Sequence, residues 1–154
     1  MIRAGEPAPE FTLSDQDGAQ VSLAGFPGRT IALVFYPADF SPVCTDQLSV
    51  YQDQLAEFEA RGVEVLGISV DGAFCHKAFA KHLDLTIRLL ADFHPKGEVA
   101  KAYGLWSEEY GVAQRALVMV GPDGAVEWSH RSPPLEVPGP ELVFAALDAR
   151  EAPA

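Results

Sequence analysis

The stretch TIALVFYPADFSPVC, residues 30–44, decides the fold class of this chain. Residues 30–36 form a nearly continuous apolar run that is rich in β-branched and aromatic side chains. Such a run predicts a strand that is buried on both faces, as in a parallel sheet. Residues 42–60 then predict a helix, because apolar side chains recur at intervals of three and four along one face. These apolar residues are Leu48, Tyr51, Leu55 and Phe58.

A second strand and helix follow the first pair. Residues 63–70 repeat the strand pattern, and Asp71 is placed to cap a helix that runs to about Leu83. The later elements are a short strand over 87–91, a short helix over 96–103, strands over 115–120 and 125–129 joined by a hairpin turn at 121–124, and a closing helix over 140–150.

This order of elements implies an α/β sandwich. The first two strands are expected to be parallel through a right-handed crossover, and the hairpin adds an antiparallel pair. The mixed pattern is typical of a thioredoxin-like fold, with a central mixed β-sheet flanked by helices, although several other α/β folds share it. A length of 154 residues predicts one domain over residues 1–154, with a core of its own.

Composition and charge exclude several function classes. The chain has 22 acidic and 11 basic residues, a formal net charge of −11 and a pI near 4.6. It therefore lacks the basic surface that binding to nucleic acid or an anionic membrane needs. A hydrophobic content of 48% excludes a disordered chain. The amino terminus lacks a secretion signal, and no apolar run approaches the about 18 residues of a membrane span, so a cytoplasmic location is expected.

The expected cytoplasmic location bears on the two cysteines, Cys44 and Cys75. In a reducing compartment a disulfide is more often transient and catalytic than structural. Two cysteines do not complete a tetrahedral zinc site, and the histidines show no metal-ligand spacing with them, so no metal or cofactor is expected. These histidines are His76, His82, His94 and His130. His76 lies beside Cys75 and is placed to tune that thiol, but a solvated surface side chain is the preferred interpretation.

Cys44 lies where the buried strand gives way to the helix. Ser41 is a good N-cap, and Pro42 fits the first helical position because it has no N–H to leave unpaired. Cys44 then falls at the third position, near unpaired backbone N–H groups and the positive end of the helix dipole. That environment favours the thiolate, which is the nucleophilic form. The alternative is that Cys44 is a small, inert, buried side chain.

Pro37, Ser41 and Cys44 match the pattern Pro-x-x-x-[Thr/Ser]-x-x-Cys. This resembles the active-site signature of the peroxiredoxins, thiol peroxidases with a thioredoxin-like fold, and FYPADFSPVCTDQL resembles their peroxiredoxin Q (bacterioferritin-comigratory-protein) and AhpE-like branches. Further segments resemble the family in the same order: 6–13, 65–71, 92–95, 102–104 and 115–124. Ser41 stands where threonine is commoner, and it keeps the hydroxyl group.

The resemblance implies that the Cys44 thiolate attacks a hydroperoxide and becomes a sulfenic acid. Arg115 would supply positive charge that favours the thiolate and polarises the peroxide. The Ser41 hydroxyl and the Cys44 N–H would hydrogen-bond the peroxide oxygens, and Pro37 would shield the sulfur. The residues alone leave structural alternatives open: a surface arginine, a simple N-cap and a strand terminator.

The resemblance also bears on how the sulfenic acid is resolved. A resolving cysteine five residues after the first is absent, because Ser49 occupies that position. Cys75, early in the next helix, is the other candidate and would form an intramolecular disulfide after local unwinding, since a disulfide needs Cα atoms within about 7 Å. The alternative is that Cys75 packs in the core with Phe79 and Leu83, which leaves a one-cysteine enzyme.

The expected partners are a hydroperoxide substrate and thioredoxin or another thiol reductant, with the protein a monomer or a homodimer. A thioredoxin-like disulfide oxidoreductase is disfavoured, because Ser41 and Gln47 occupy the positions that a Cys-x-x-Cys motif around Cys44 would need. A non-enzymatic peroxide sensor that uses the same cysteine remains a competing hypothesis.

Overall fold

The computed structural model describes residues 1–151 and is built around one mixed β-sheet. The strands are β1 Thr12–Ser14, β2 Gln20–Ser22, β3 Thr30–Phe35, β4 Val63–Ser69, β5 Arg88–Ala91, β6 Trp106–Ser107, β7 Val112–Ala113, β8 Ala116–Val120 and β9 Val126–Arg131. The helices are α1 Pro42–Asp53, α2 Leu55–Ala60, α3 Ala73–Leu83, α4 Glu98–Ala102 and α5 Glu141–Glu151. Within residues 1–151, no helix is both long and apolar enough to cross a membrane.

The central sheet has five strands in the order β5-β4-β3-β8-β9. Strand β3 runs parallel to β4, which runs parallel to β5, whereas β8 and β9 join as an antiparallel pair beside β3. The predicted parallel pair, the antiparallel hairpin and the flanking helices are therefore confirmed. Two small hairpins, β1-β2 and β6-β7, were not predicted, because strands of two or three residues are too short to show an alternating pattern.

Strand β3 separates two hydrophobic cores. All six of its residues are buried, as the apolar run predicts. Leu33 and Phe35 point into one core with Tyr103, and Val34 points into the other. The second core is covered by apolar side chains of the helices: Leu48, Tyr51, Phe58, Phe79, Val143 and Leu147. The alternation of side chains along a strand explains why one strand contributes to both cores.

The predicted helix over 42–60 is broken into α1 and α2. Gln54 leaves the helical conformation, with φ −101° and ψ 8°, and its N–H donates to the carbonyl of Tyr51 at 3.2 Å. This tighter bond to the third preceding residue interrupts the regular ladder. The apolar face is preserved across the break, since Tyr51 and Phe58 still stack in the same core with ring centroids 5.9 Å apart.

Two helix starts differ from the prediction. Helix α3 has Gly72 at its N-cap and no capping side chain, so the prediction that Asp71 caps it is wrong. The Asp71 carboxylate instead accepts hydrogen bonds from the Asp39 N–H at 2.8 Å and the Ser69 hydroxyl at 2.5 Å. Helix α4 is shorter than the predicted 96–103, because Gly97 has a left-handed conformation that the helix cannot include.

One edge of the sheet collects the chemistry-bearing residues. Strands β3 and β4 end there and lead into α1 and α3. Strand β8 runs the opposite way and begins at the same edge, where Ala116 pairs with Phe35. Arg115 and the loop over residues 36–41 are therefore brought together, although they lie far apart in the chain. The carboxyl edge of parallel strands is where α/β proteins commonly bind ligands.

Candidate active site

Helix α1 begins with the predicted geometry around Cys44. Ser41 has an extended backbone, Pro42 is the first helical residue, and Cys44 occupies the third position with its side chain fully buried. The Ser41 hydroxyl does not cap the helix; it donates to the carbonyl of Ala38 at 3.0 Å, so the prediction of a capping side chain is wrong. The first-turn N–H groups, including that of Cys44, are consequently not occupied by a capping side chain.

Arg115 is buried at this edge, with 3% of its surface exposed, so the alternative of a surface arginine is wrong. Its Nη1 donates to Gln47 Oε1 at 2.6 Å, and its Nε donates to the carbonyl of Pro134 at 3.1 Å. Gln47 is fully buried and follows Cys44 by three residues on the same helix face. The two acceptors orient the guanidinium group without neutralising its positive charge.

A groove of about 980 Å³ opens over this helix start. Three of the predicted site residues, Pro37, Ser41 and Arg115, line it together. The remaining lining residues are Pro42, Val43, Ser107, Tyr110, Val112, Ala113, Gln114, Arg131, Ser132, Pro133, Pro134 and Leu135. Cys44 is not on the surface of the groove; it is buried next to it, in the first turn of the helix that supplies Pro42 and Val43.

Cys75 lies in the first turn of α3 and is partly exposed. The alternative, in which Cys75 packs in the core beside Phe79, is only half correct, since Phe79 is fully buried and Cys75 is not. The Cys75 thiol donates to Asp71 Oδ1 at 3.9 Å. Partial burial and the negative charges of Asp39 and Asp71 raise the pKa of Cys75 to about 11. Both cysteines are free thiols in the structure.

His76 is fully buried, so the interpretation of a solvated surface histidine is wrong. Its Nδ1 lies 2.6 Å from Asp39 Oδ2, and its Nε2 lies 3.1 Å from the carbonyl oxygen of Leu90. The buried Tyr36 hydroxyl donates to the other carboxylate oxygen of Asp39, also at 2.6 Å. Burial and the neighbouring charge of Asp39 raise the pKa of Tyr36 well above its usual range, so the phenol stays a neutral donor.

The same edge carries a small acidic cluster. One ligand atom each from Asp39, Asp71 and Cys75 lies within 4.8 Å of the others. The carboxylates already accept hydrogen bonds from Tyr36 and Ser69, among others. The expectation that the protein needs no metal stays a prediction.

Sequence reasoning missed Gln47 and Asp39 as members of this site, assigned no role to Tyr36, and preferred a surface position for His76. Gln47 had a detectable signal, because a polar residue within the apolar face of a helix needs a buried partner. His76 had a similar sequence signal, because it precedes Phe79 by three residues and therefore shares the buried face of α3. No local pattern marks Asp39, a loop residue whose buried carboxylate contacts His76 on α3.

Comparisons with known proteins agree with this geometry. The model of the AhpC/TSA family matches residues 4–129, which is most of the chain. The chain belongs to the AhpC/TSA family. Its members include proteins named peroxiredoxin and alkyl hydroperoxide reductase, which are thiol peroxidases, and the expectation of a peroxiredoxin enzyme is thereby confirmed. A peroxiredoxin reduces a peroxide with electrons from a thiol.

Two relatives resemble this peroxiredoxin over most of its length. Alkyl hydroperoxide reductase E of Mycobacterium tuberculosis is 37% identical over 150 residues, which cover 97% of this chain and 98% of that protein. Chloroplastic peroxiredoxin Q of Triticum aestivum is 39% identical over 132 residues, which cover 85% of this chain and 60% of that protein. Both branches that the active-site segment resembles are thus represented.

Solved structures show the same fold. The structure of Enterococcus faecalis AhpC matches with a TM-score of 0.89 and 27% identity, over 98% of this chain and 93% of that chain. Mycobacterium tuberculosis AhpC matches with a TM-score of 0.90 and 23% identity, over 99% and 94% of the two chains. The expected thioredoxin-like fold of the peroxiredoxin type is confirmed.

Proposed function

We propose that Cys44 is the peroxidatic residue of this peroxiredoxin and that the groove over α1 admits the hydroperoxide. The observation that carries the proposal is the meeting of Pro37, Ser41 and Arg115 in one groove, beside the helix turn that holds Cys44. Because Cys44 is buried, its sulfur is protected from bulk water and from large reagents. A small peroxide group reaches it from the groove.

The reaction is a nucleophilic displacement at oxygen. The Cys44 thiolate attacks the terminal peroxide oxygen, the O–O bond breaks, and the sulfur is oxidised to a sulfenic acid while the leaving oxygen takes a proton and departs as an alcohol or water. Negative charge moves from sulfur to the leaving oxygen. The buried cation of Arg115, whose acceptors Gln47 and Pro134 are neutral, stabilises that charge throughout.

Ser41 and the Cys44 backbone orient the peroxide. The Ser41 hydroxyl donates its hydrogen bond to the Ala38 carbonyl, so its oxygen is free to accept a hydrogen bond from the O–H of the hydroperoxide. The Cys44 N–H, in the uncapped first turn, donates to a peroxide oxygen. Pro37 forms part of the wall and carries no N–H that would compete.

The groove suits organic hydroperoxides as well as hydrogen peroxide. Several of its walls are apolar, among them Val112, Ala113, Pro133 and Leu135. An alkyl group of moderate size fits within about 980 Å³ and gains from leaving water. We assign both substrate types to the enzyme on this basis.

We also propose that Cys75 resolves the sulfenic acid. Its thiol would displace the sulfenic oxygen as water and form a disulfide with Cys44, which thioredoxin or another thiol then reduces. The raised pKa of Cys75, about 11, makes its thiolate scarce at neutral pH and favours slow resolution. This observation also supports the alternative, a one-cysteine cycle in which an external thiol reduces Cys44 directly.

The deciding measurement is the intact mass of the fully reduced protein after one equivalent of hydrogen peroxide. A disulfide removes two hydrogens, and a sulfenic acid adds one oxygen. We expect rapid oxidation that is abolished in Cys44→Ser. The matched Cys75→Ser variant, which changes the partly exposed cysteine instead, should still gain oxygen at Cys44.

The outcomes separate the hypotheses. Loss of two hydrogens that depends on both cysteines establishes the two-cysteine cycle. Gain of oxygen on Cys44 without any disulfide leaves a one-cysteine peroxidase. An unreactive Cys44 in the wild-type protein would overturn the proposed site. Turnover with a thiol reductant, rather than a single oxidation, distinguishes the enzyme from a peroxide sensor.

A further inference from the structure

We propose that Asp39 and His76 form a positioning pair that holds the peroxide-binding loop, residues 37–41, in its reactive conformation. The inference rests on the proposed function, because it takes the Ser41 hydroxyl and the Cys44 N–H as the groups that orient the peroxide. Neither Asp39 nor His76 lines the groove. Both act through the loop, so they are positioning residues and not catalytic ones.

A short hydrogen bond ties the side chains of Asp39 and His76 together. The carbonyl oxygen of Leu90 is purely an acceptor, so the proton on His76 Nε2 points at it across 3.1 Å. His76 Nδ1 and Asp39 Oδ2, 2.6 Å apart, then need one further proton between them. With that proton and the one from Tyr36, both Asp39 oxygens are paired inside the protein. A buried carboxylate that is satisfied on both oxygens has a fixed orientation.

The pair joins the loop to parts of the chain that are distant in sequence. His76 lies on α3, and its second partner, Leu90, lies on β5. The Asp39 backbone N–H donates to Asp71, which follows β4 and is held in turn by Ser69. The loop is thereby anchored through both the side chain and the backbone of Asp39.

The residue next to Asp39 shows why such an anchor is needed. Phe40 has φ +66°, in the left-handed region that a bulky side chain enters only at an energetic cost. Strained backbone persists where its surroundings over-determine it. Phe40 itself is half exposed and packs on Phe79 with ring centroids 5.1 Å apart, so the stronger constraint comes from buried Asp39 on one side and the start of α1 on the other. This conformation directs Ser41 toward the groove.

The test compares two reactions of Cys44, in a Cys75→Ser background so that one thiol reacts. Oxidation by hydrogen peroxide needs an oriented peroxide, whereas alkylation by iodoacetamide needs only a reachable thiolate. In Asp39→Asn a single acceptor oxygen replaces the two that Tyr36 and His76 require. We expect the peroxide rate to fall at least about tenfold, since small misplacements of reacting groups can cost about 10²-fold, while alkylation does not increase and the protein remains folded.

A second variant and a double-mutant cycle distinguish the proposed role from a loss of folding. Tyr36→Phe removes one hydrogen bond to Asp39 and keeps the ring in the core, and a smaller loss of the peroxide rate is expected from it. If Asp39 and His76 act as a unit, Asp39→Asn and His76→Asn together should lose little more than either does alone. His94→Asn, at an exposed histidine, is the control and should match the parent.

Each result has a defined meaning. A normal peroxide rate in Asp39→Asn, or strictly additive losses in the double variant, would overturn the inference. A faster alkylation together with a lower thermal midpoint would show a merely structural role and would also overturn it. An inert Cys44 in the parent protein is a different outcome, because it refutes the proposed function before the pair is tested.

Discussion

The two cysteines sit in opposite chemical surroundings. Cys44 is buried in a helix turn beside a groove lined by Arg115, whose polar partners Gln47 and Pro134 are neutral. Cys75 is partly exposed and faces the carboxylates of Asp39 and Asp71. Burial and the two carboxylates raise the pKa of Cys75 and so disfavour its thiolate. We therefore expect the two thiols to play different roles.

This contrast predicts that disulfide formation depends on pH through Cys75. The pKa of Cys75 is raised to about 11, so its thiol form predominates at neutral pH and its thiolate fraction increases as the pH rises. We expect the rate of disulfide formation after a peroxide pulse to increase up to about tenfold per unit between about pH 7 and about pH 10. Rapid quenching followed by mass measurement reports this rate.

The control is Cys75→Ser, in which no disulfide should form at any pH. A rate in the wild-type protein that is independent of pH would show that the local unwinding, and not the thiolate fraction of Cys75, limits the step. The absence of any disulfide in the wild-type protein would contradict the assignment of Cys75 as the attacking thiol. It would then favour reduction of Cys44 by an external reductant.

Element boundaries depend on a few backbone conformations. Helix α4 starts after Gly97, and the turn between α2 and β4 contains Gly62. Both glycines have φ +73°. A Cβ atom at Gly62 would meet nothing within 4 Å, whereas one at Gly97 would run into the ring of Trp106. The two positions therefore share the same backbone strain and differ in packing.

These two glycines give a matched pair of substitutions. Gly62→Ala should lower the free energy of unfolding by about 1–2 kcal/mol, the cost of a left-handed L-residue. Gly97→Ala should lower it by about 1–3 kcal/mol more, because the ring of Trp106 must move. Chemical denaturation of both variants measures the difference. Equal losses would show that Trp106 adapts without cost.

At the scale of the whole molecule, β3 is the central element. It is the middle strand of the five-stranded sheet, and its side chains enter both cores. It also leads directly into the loop and helix that hold the candidate site. Stability and site geometry are therefore coupled through this strand.

A leucine pair tests how much of the stability lies in β3. Leu33, in the middle of the strand, has 0% exposure, and Leu135 has 83%. Leu33→Ala should lower the free energy of unfolding by about 2–5 kcal/mol, from lost burial and the cavity that remains. Leu135→Ala should change it by no more than about 0.5 kcal/mol. Similar effects at the two positions would contradict the central role of β3.

Much of this molecule could be predicted from local sequence features. The buried strand β3, the helix that begins at Pro42 and the place of Cys44 in its first turn follow from apolar periodicity and from the preferences of single residues. Errors occurred where a local pattern was ambiguous. Asp71 follows a strand and precedes a helix, and both a capping and a bridging role fit that position.

The sequence by itself determined the order of the five central strands and the main helices, the resemblance to the family and the two reactive candidates, because each is encoded by neighbouring residues. Only the tertiary structure decided that Arg115 is held by Gln47, 68 residues away, and that His76 pairs with Asp39, 37 residues away. Such contacts arise because β3, β4 and β8 meet at one sheet edge, where residues distant in sequence exclude water together. A polar side chain buried there must find a partner within reach, and the fold decides which one that is.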